Sequence, residues 1–209
     1  MPAAHPPEIG SPGPTAGDTR GRLIAAASEL LGEGGPDAVT LRGVGDRVGV
    51  SRTAPYRHFK DKSDLLTAVA VAEVGGMSDD MGAALDGGTD GPDTLRRLFY
   101  AFIRRGIRRP EHYRLIFGER LTETEDGELQ TAVAELMRTC VAVFVDGQRA
   151  GSVRPGDPHD LALLTWSALH GLITLAISGH LAKKGYLTDD SLARLVAELV
   201  AGLEPRRAP

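Results

Sequence analysis

The stretch TLRGVGDRVGVSRTAPYRHFKDK, residues 40–62, decides the reading of this chain. Thr40 stands where a helix N-cap belongs, because its hydroxyl can accept from one of the unpaired N–H groups that open a helix. A short helix is predicted from Leu41 to about Val48, ended by Gly49-Val50. A second is predicted from a Ser51 cap to about Phe59. Val44 and Val48 are the apolar positions that pack the pair together, and Val50 fills the turn. Two short helices joined by a tight glycine turn form a helix-turn-helix, whose second helix fits a DNA major groove about 12 Å wide. The charges agree. The stretch holds Arg42, Arg47, Arg52, Arg57, Lys60 and Lys62 against Asp46 and Asp61, on a chain of net charge -4. A basic patch on an acidic body suits contact with a polyanion through one limited surface. Arg52, Thr53 and Tyr56 offer donors and a ring on the exposed side, and His58, Lys60 and Lys62 extend toward phosphates.

Working outward, the chain reads as helices throughout. Met1 to Gly17, with five Pro and three Gly, reads as a disordered arm. Asp18 or Thr19 caps a first helix with an apolar stripe of Leu23, Ile24, Ala27, Leu30 and Leu31, closed by Gly32, Gly34, Gly35 and Pro36. A longer helix opens near Asp61 or Lys62, with a domain boundary placed softly inside it. Further helices are predicted over 93–108, from Pro110 to Phe117, over 128–149, from Pro158 to Leu181, and from Ser191 to Leu203. Runs rich in β-branched residues are absent, so the fold class is all-α. The division expected is an arm over 1–17, a helix-turn-helix domain over 18–66, a helical ligand-binding and dimerisation domain over 67–204, and a tail over 205–209. The arm holds no apolar signal-peptide core, and a cytoplasmic location is expected.

The motif also carries a family resemblance. VSRTAPYRHFKDKSDLL, with the preceding amphipathic helix, the glycine-rich break and VTLRGVGDRVGVS, resembles the DNA-binding domain of TetR-family transcriptional regulators in order and spacing, over about Thr19 to Leu66. The resemblance implies that Thr40 and Arg42 meet phosphates at the start of the first motif helix. It implies that Ser51 caps the second, that Arg52, Thr53 and Ala54 read bases, and that Tyr56, His58 and Lys62 contact the DNA backbone. Phe59 reads as core. Gly45 departs from the family, which usually carries Ala there. An interior Gly costs up to about 1 kcal/mol relative to Ala, so this helix is expected to be frayed or packed unusually close. Gly43-Val44-Gly45 also imitates the start of a dinucleotide fingerprint, but no strand precedes it and the next glycine falls at Gly49.

The family pairs this reader with a helical domain that dimerises and encloses a small ligand. PEHYRLIFG (110–118) and WSALHGL (166–172) resemble the branch with a Trp-x-x-x-His-Gly signature. The ligand-facing candidates are Phe99, Phe102, Tyr113, Phe117, Trp166 and His170, each with a plain core role as the alternative. Trp166 and His170 are four apart and share a helix face. Leu161 to Ala182 is 22 residues without a charge, long enough to span a bilayer, yet it holds Thr, Ser, His and Gly. It reads instead as a helix buried on one side by its own domain and on the other by a second subunit. The two-fold interface is expected at Leu169, Ile173, Ile177, Leu192, Leu195 and Leu199, with no membrane partner. Arg104, Arg105, Arg108 and Arg109 read as a solvated face, with an anion site as the alternative.

The remaining classes find little support. One cysteine, Cys140, excludes an internal disulfide framework, and its apolar stripe favours a buried thiol over a redox sensor. No His-Glu-x-x-His occurs, so neither metal nor cofactor is expected. No nucleophile, base and orienting group stand in a catalytic pattern, and no catalytic residue is assigned. The reading is a homodimeric regulator that binds double-stranded operator DNA, a repressor released by a small molecule of unknown identity. A helical protein-binding adaptor and a helical enzyme are the alternatives.

Overall fold

The first helix of the motif is closed by its own sequence. Thr40 takes an extended backbone and its hydroxyl accepts from Gly43 N at 3.0 Å, while Gly49, at φ 76°, turns the chain out of the helix. In the computed structural model, which describes residues 16–86, 91–118 and 127–205, this helix is α2 (Leu41–Val48). It packs on α1 (Ala16–Ala38), whose Leu23, Ala27 and Leu31 are fully buried. Most of the expected N-terminal arm, residues 1–15, lies outside the described residues. Ala16 and Gly17 are already helical, so Asp18 and Thr19 stand inside the first turn rather than capping it. Gly34 and Gly35 leave helical geometry, Gly35 at φ 69°, and Pro36 begins one last turn.

Seven longer or shorter helices follow among the described residues: α3 (Lys62–Leu85), α4 (Pro92–Arg108), α5 (Pro110–Phe117), α6 (Gly127–Arg149), α7 (Pro158–Ile177), the short α8 (His180–Lys183) and α9 (Asp189–Ala201). No strand occurs among the described residues. Asp61 caps α3 by accepting from Asp64 N, and Asp64 in turn accepts from Lys60 N, so two open donors are satisfied reciprocally. Helix α3 then runs unbroken past residue 66. Its early turns pack on α1 and its later turns on α4 and α6.

The helix expected from Pro158 to Leu181 is two. Ser178 and Gly179, the latter at φ 77°, end α7 and set the short α8 at an angle. By length and composition α7 could cross a membrane. Here one side of it packs on α4 and α6, and Ile173 is fully buried. A Cβ on Gly106 of α4 would stand 2.8 Å from Ile173 Cγ2, so the glycine lets these two helices approach closely.

Candidate nucleic-acid interface and ligand cavity

The second motif element is shorter than the sequence suggests. Residues 51–59 hold a single 3-10 turn, Pro55–Arg57, in place of a helix. Pro55 has no N–H to give back to Ser51. Ala54 N instead bonds Ser51 O at 2.9 Å, and Arg57 and His58 bond three residues back at 3.1 and 3.0 Å. Ser51 therefore caps no helix with its side chain; its hydroxyl lies 3.3 Å from that of Thr53. Gly45 explains the tightness of the turn. It is buried, and a Cβ there would stand 3.0 Å from Pro55 Cγ. Close packing, not fraying, is what the glycine serves.

The expected DNA-facing residues are all at least partly open to solvent. Thr40, Arg42, Ser51, Arg52, Thr53 and Tyr56 are exposed, Tyr56 by 60 %, and Ala54, His58 and Lys62 are half-buried. Thr40 is already engaged as a cap. Arg42 faces Asp46 at 3.8 Å and Lys62 faces Asp37 at 3.9 Å, both loose, solvent-screened pairs. Arg47, basic in the same stretch, plays another part. It holds Glu33 of α1 through two bonds of 2.8 and 2.9 Å, fastening α2 to α1, and Arg22 adds a bond of 2.9 Å to Val48 O. Arg20 stacks over buried Phe59, its guanidinium carbon 5.3 Å from the ring centroid.

The other half of the molecule encloses a cavity of about 50 Å³ between four helices. Met77 and Met81 reach it from α3, and Leu98, Phe99 and Phe102 from α4. Leu136, Cys140 and Phe144 reach it from α6, Trp166 and Leu169 from α7. Its polar lining includes Asp80, Arg105 and Thr165. Of the six ligand-facing candidates, Phe99, Phe102 and Trp166 line this space. Tyr113, Phe117 and His170 do not. They form an aromatic cluster with Phe102 and Trp166, in which His170 lies 4.5 Å from both Phe117 and Trp166, centroid to centroid. Tyr113 shares a hydrogen bond with His170 Nδ1, and the buried Nε2 has no partner among the described residues. Burial pushes His170 down to about 4, so the ring is neutral at physiological pH. The spacing of Leu136, Cys140 and Phe144 reads as an apolar stripe, but periodicity does not separate a cavity wall from a core, and it does not single out Met77 and Met81. Burial also pushes the Cys140 thiol up to about 11, which leaves it inert.

A buried ionic chain joins the two halves. Glu73 of α3, only 5 % exposed, accepts from Arg105 Nε at 2.7 Å and from Arg109 Nε at 3.0 Å. Arg105 continues to Asp80 at 2.6 Å, at the cavity wall. Arg109 donates to Ser28 of α1 at 3.0 Å, and Ser28 meets His112 Nε2 at 2.8 Å. Sequence reading had placed Arg105 and Arg109 on a solvated face. No sequence signal paired them with Glu73, 32 and 36 positions away.

The interface expected on α7 and α9 changes composition. Leu169, Ile173 and Leu192 are buried in the chain's own core and present no surface. Ile177, Leu195 and Leu199 are half-buried. The outward apolar residues of α7 are Leu163, Leu164 and Leu175, 58, 65 and 44 % exposed.

A helix-turn-helix reader joined through one continuous helix to a helical bundle with an internal cavity defines a class of regulatory protein. The comparisons agree. Residues 23–69 match the family described as bacterial regulatory proteins, tetR family, and residues 95–199 match the tetracyclin repressor-like C-terminal domain. The chain belongs to the TetR family of transcriptional regulators. It is 35 % identical over 100 residues to the HTH-type transcriptional activator FasR of Mycolicibacterium smegmatis, across 48 % of this chain and 46 % of that protein. The match thus spans about half the length of that relative. It is 29 % identical over 148 residues to an uncharacterized HTH-type transcriptional regulator of Mycobacterium bovis, covering 70 % of this chain and 76 % of that one. A solved structure of a protein of unknown function from Rhodococcus sp. RHA1 superposes with a TM-score of 0.81 at 25 % identity, over 94 % of this chain and 99 % of the other.

Proposed function

We propose that this protein is a cytoplasmic, non-enzymatic repressor that binds double-stranded operator DNA as a homodimer and leaves it when a small molecule enters the cavity. One observation carries the reading. Helix α3 starts at Lys62, beside the reader, and its Met77 and Met81 wall the cavity. A ligand that parts these methionines from α4 and α6 displaces the helix on which the reader is mounted. The cavity of about 50 Å³ is far below the ~300–1,000 Å³ of occupied ligand sites, so binding must open it. Methionine walls repack readily. The ligand then selects a second arrangement of the helices, and it shifts the equilibrium only by its difference in affinity for the two.

In this reading residues 18–66 are the reader and 67–204 the sensing and dimerising part, with α3 shared between them. Thr40, Arg42, Tyr56, His58 and Lys62 hold phosphates, Arg52, Thr53 and Ala54 face bases, and Phe99, Phe102 and Trp166 meet the ligand. Trp166, His170 and Gly171 support a place in the Trp-His-Gly branch. A second copy covers Leu163, Leu164 and Leu175 together with Ile177, Leu195 and Leu199, which gives two readers related by a two-fold axis.

The test selects bound sequences from a random DNA pool and then screens compounds for release. Recovery of a two-fold symmetric site and its release by a compound that perturbs Trp166 emission are the expected results. Trp166 is the only tryptophan in the chain, so the signal is local. Failure to enrich any sequence, by a protein that sediments as a stable dimer, would favour the protein-binding adaptor.

A further inference from the structure

The cavity does not end at its apolar wall. Asp80, Ala101 and Arg105 line it and also line an open groove of about 510 Å³ on the outer side of α4, shared with Tyr100, Arg104, Arg108 and Arg109. One compartment is mostly apolar and only partly open, the next is more open and bears four guanidinium groups, and Arg105 lines both. The arginines are unequally occupied. Arg104 pairs with Asp189, Arg105 with Glu73 and Asp80, and Arg109 with Glu73. Arg108 is exposed and has no carboxylate partner among the described residues. Asp80, itself 46 % exposed, is the only acidic side chain lining the groove among the described residues.

We propose that the ligand is a single-chain anionic amphiphile, its apolar body in the cavity and its phosphate or carboxylate head at the arginine groove, where it displaces Asp80 from Arg105 and meets Arg108. This rests on the reading of the cavity as the ligand site and adds the chemistry of what enters it. An apolar pocket holds an apolar chain of either polarity equally well, and the groove decides between heads. Guanidinium pairs planar oxyanions through two parallel bonds, and a head of double charge competes well with one half-exposed carboxylate. Displacing Asp80 also loosens the Arg105–Glu73–Arg109 chain that runs to Ser28 of α1, so head binding is felt at the reader.

The experiment titrates the full-length protein with dodecyl phosphate, dodecan-1-ol, dodecyltrimethylammonium and inorganic phosphate. Each amphiphile is kept below its micellar concentration, and Trp166 emission is the readout. Vesicles of anionic phospholipid form a further arm, separating a free amphiphile from a membrane surface. Dodecyl phosphate is expected to bind at least about tenfold more tightly than dodecan-1-ol, the factor a single charge-assisted hydrogen bond supplies. Dodecyltrimethylammonium is expected to bind more weakly still, and phosphate alone and vesicles to leave the emission unchanged. The variants carry opposite signs. Arg108→Ala should weaken dodecyl phosphate, Asp80→Asn should tighten it by removing the competing charge, and neither should alter dodecan-1-ol. A merely structural role for these side chains would shift both probes together.

Equal affinity for the phosphate and the alcohol overturns the proposal. So do saturation by phosphate alone, a response only to vesicles, and no response to any amphiphile. Operator binding is measured on the same samples without additive. Its absence would count against the proposed function, while the emission titration still decides the chemistry of the site.

Discussion

Both halves of the molecule are rich in arginine, yet their charges are held in different ways. In the reader the pairs are open to water: Arg42 with Asp46, Lys62 with Asp37 and Arg47 with Glu33 have side chains 34 to 87 % exposed. Such pairs add little to stability, and a phosphate can replace the carboxylate with small loss. In the bundle Glu73 is 5 % exposed and clamped by two arginines. A buried carboxylate stripped of its partners is costly, so that group fixes α3, α4 and, through Ser28, α1. Exchangeable charge suits a surface that must take up and release DNA. Locked charge suits a joint that must hold one arrangement until something displaces it.

The strongest way to break this contrast is Glu73→Gln. Removing one member of a buried ionic set costs about 3–5 kcal/mol, and the partial exposure of Arg109 argues for the lower end, about 3 kcal/mol. Urea unfolding should show the loss as a lower midpoint at similar slope. Arg47→Ala, in the reader, should leave the midpoint nearly unchanged. Similar losses for the two variants would erase the difference between exchangeable and locked charge.

Packing sharpens the same comparison. Gly106→Ala places a methyl group 2.8 Å from Ile173 Cγ2, in a core where Ile173 is fully buried. Overpacking of this kind costs about 1–3 kcal/mol. The variant should lower the thermal midpoint and change the response of Trp166, about two turns of helix away on α7. Wild-type stability would mean that the α4–α7 seam is looser than its geometry.

Within the reader, the contrast predicts two kinds of loss. Thr53→Ala should cost about 1–3 kcal/mol on the preferred operator and relax its sequence preference. Lys62→Ala should weaken all sequences alike and reduce the salt slope by about 1 per contact. Operator selection and salt titration on both variants check this. A Lys62 variant with shifted preference and unchanged slope would overturn the phosphate assignment.

What the sequence shows of all this follows from range. The cap at Thr40, the turn at Gly49 and the cap at Asp61 are set by neighbours within four positions, so residues 40–62 were legible down to single hydrogen bonds. Even there the spacing predicts a helix over 51–59, and Pro55, which has no N–H, leaves a 3-10 turn in its place. The helices of the bundle were legible from apolar spacing, but which apolar residues face a cavity, a core or solvent was not. Leu169, Ile173 and Leu192 share their stripes with residues that point outward, and only the packing of α4 against α7 and α9 separates them. The Arg105–Glu73–Arg109 chain was illegible because nothing local links residues more than 30 positions apart.

A further effect concerns pH and the aromatic cluster. His170 has an ordinary value of 6.5 and burial lowers it to about 4 in the folded chain. Between those values the unfolded chain takes up a proton at this side chain and the folded chain does not. Stability is therefore fully present above about pH 6.5, falls as the pH drops toward 4, and stops changing through this group below it. His112 acts in the same direction, lowered first by burial and then by the Arg109 charge. Carboxylates held low, such as Glu33 beside Arg47, begin to lose their contribution only near the acid end of that window, below their ordinary 4.5. The expected result is a thermal midpoint that declines between pH 6.5 and about 4.5, with a shallower decline in His170→Gln. Both ring nitrogens stay neutral and enclosed only while Phe102, Phe117 and Trp166 remain packed on the ring, so a ligand that opens the cavity should also flatten this decline. An identical decline in wild type and His170→Gln would show that the ring is solvated in solution and that the aromatic cluster does not close around it.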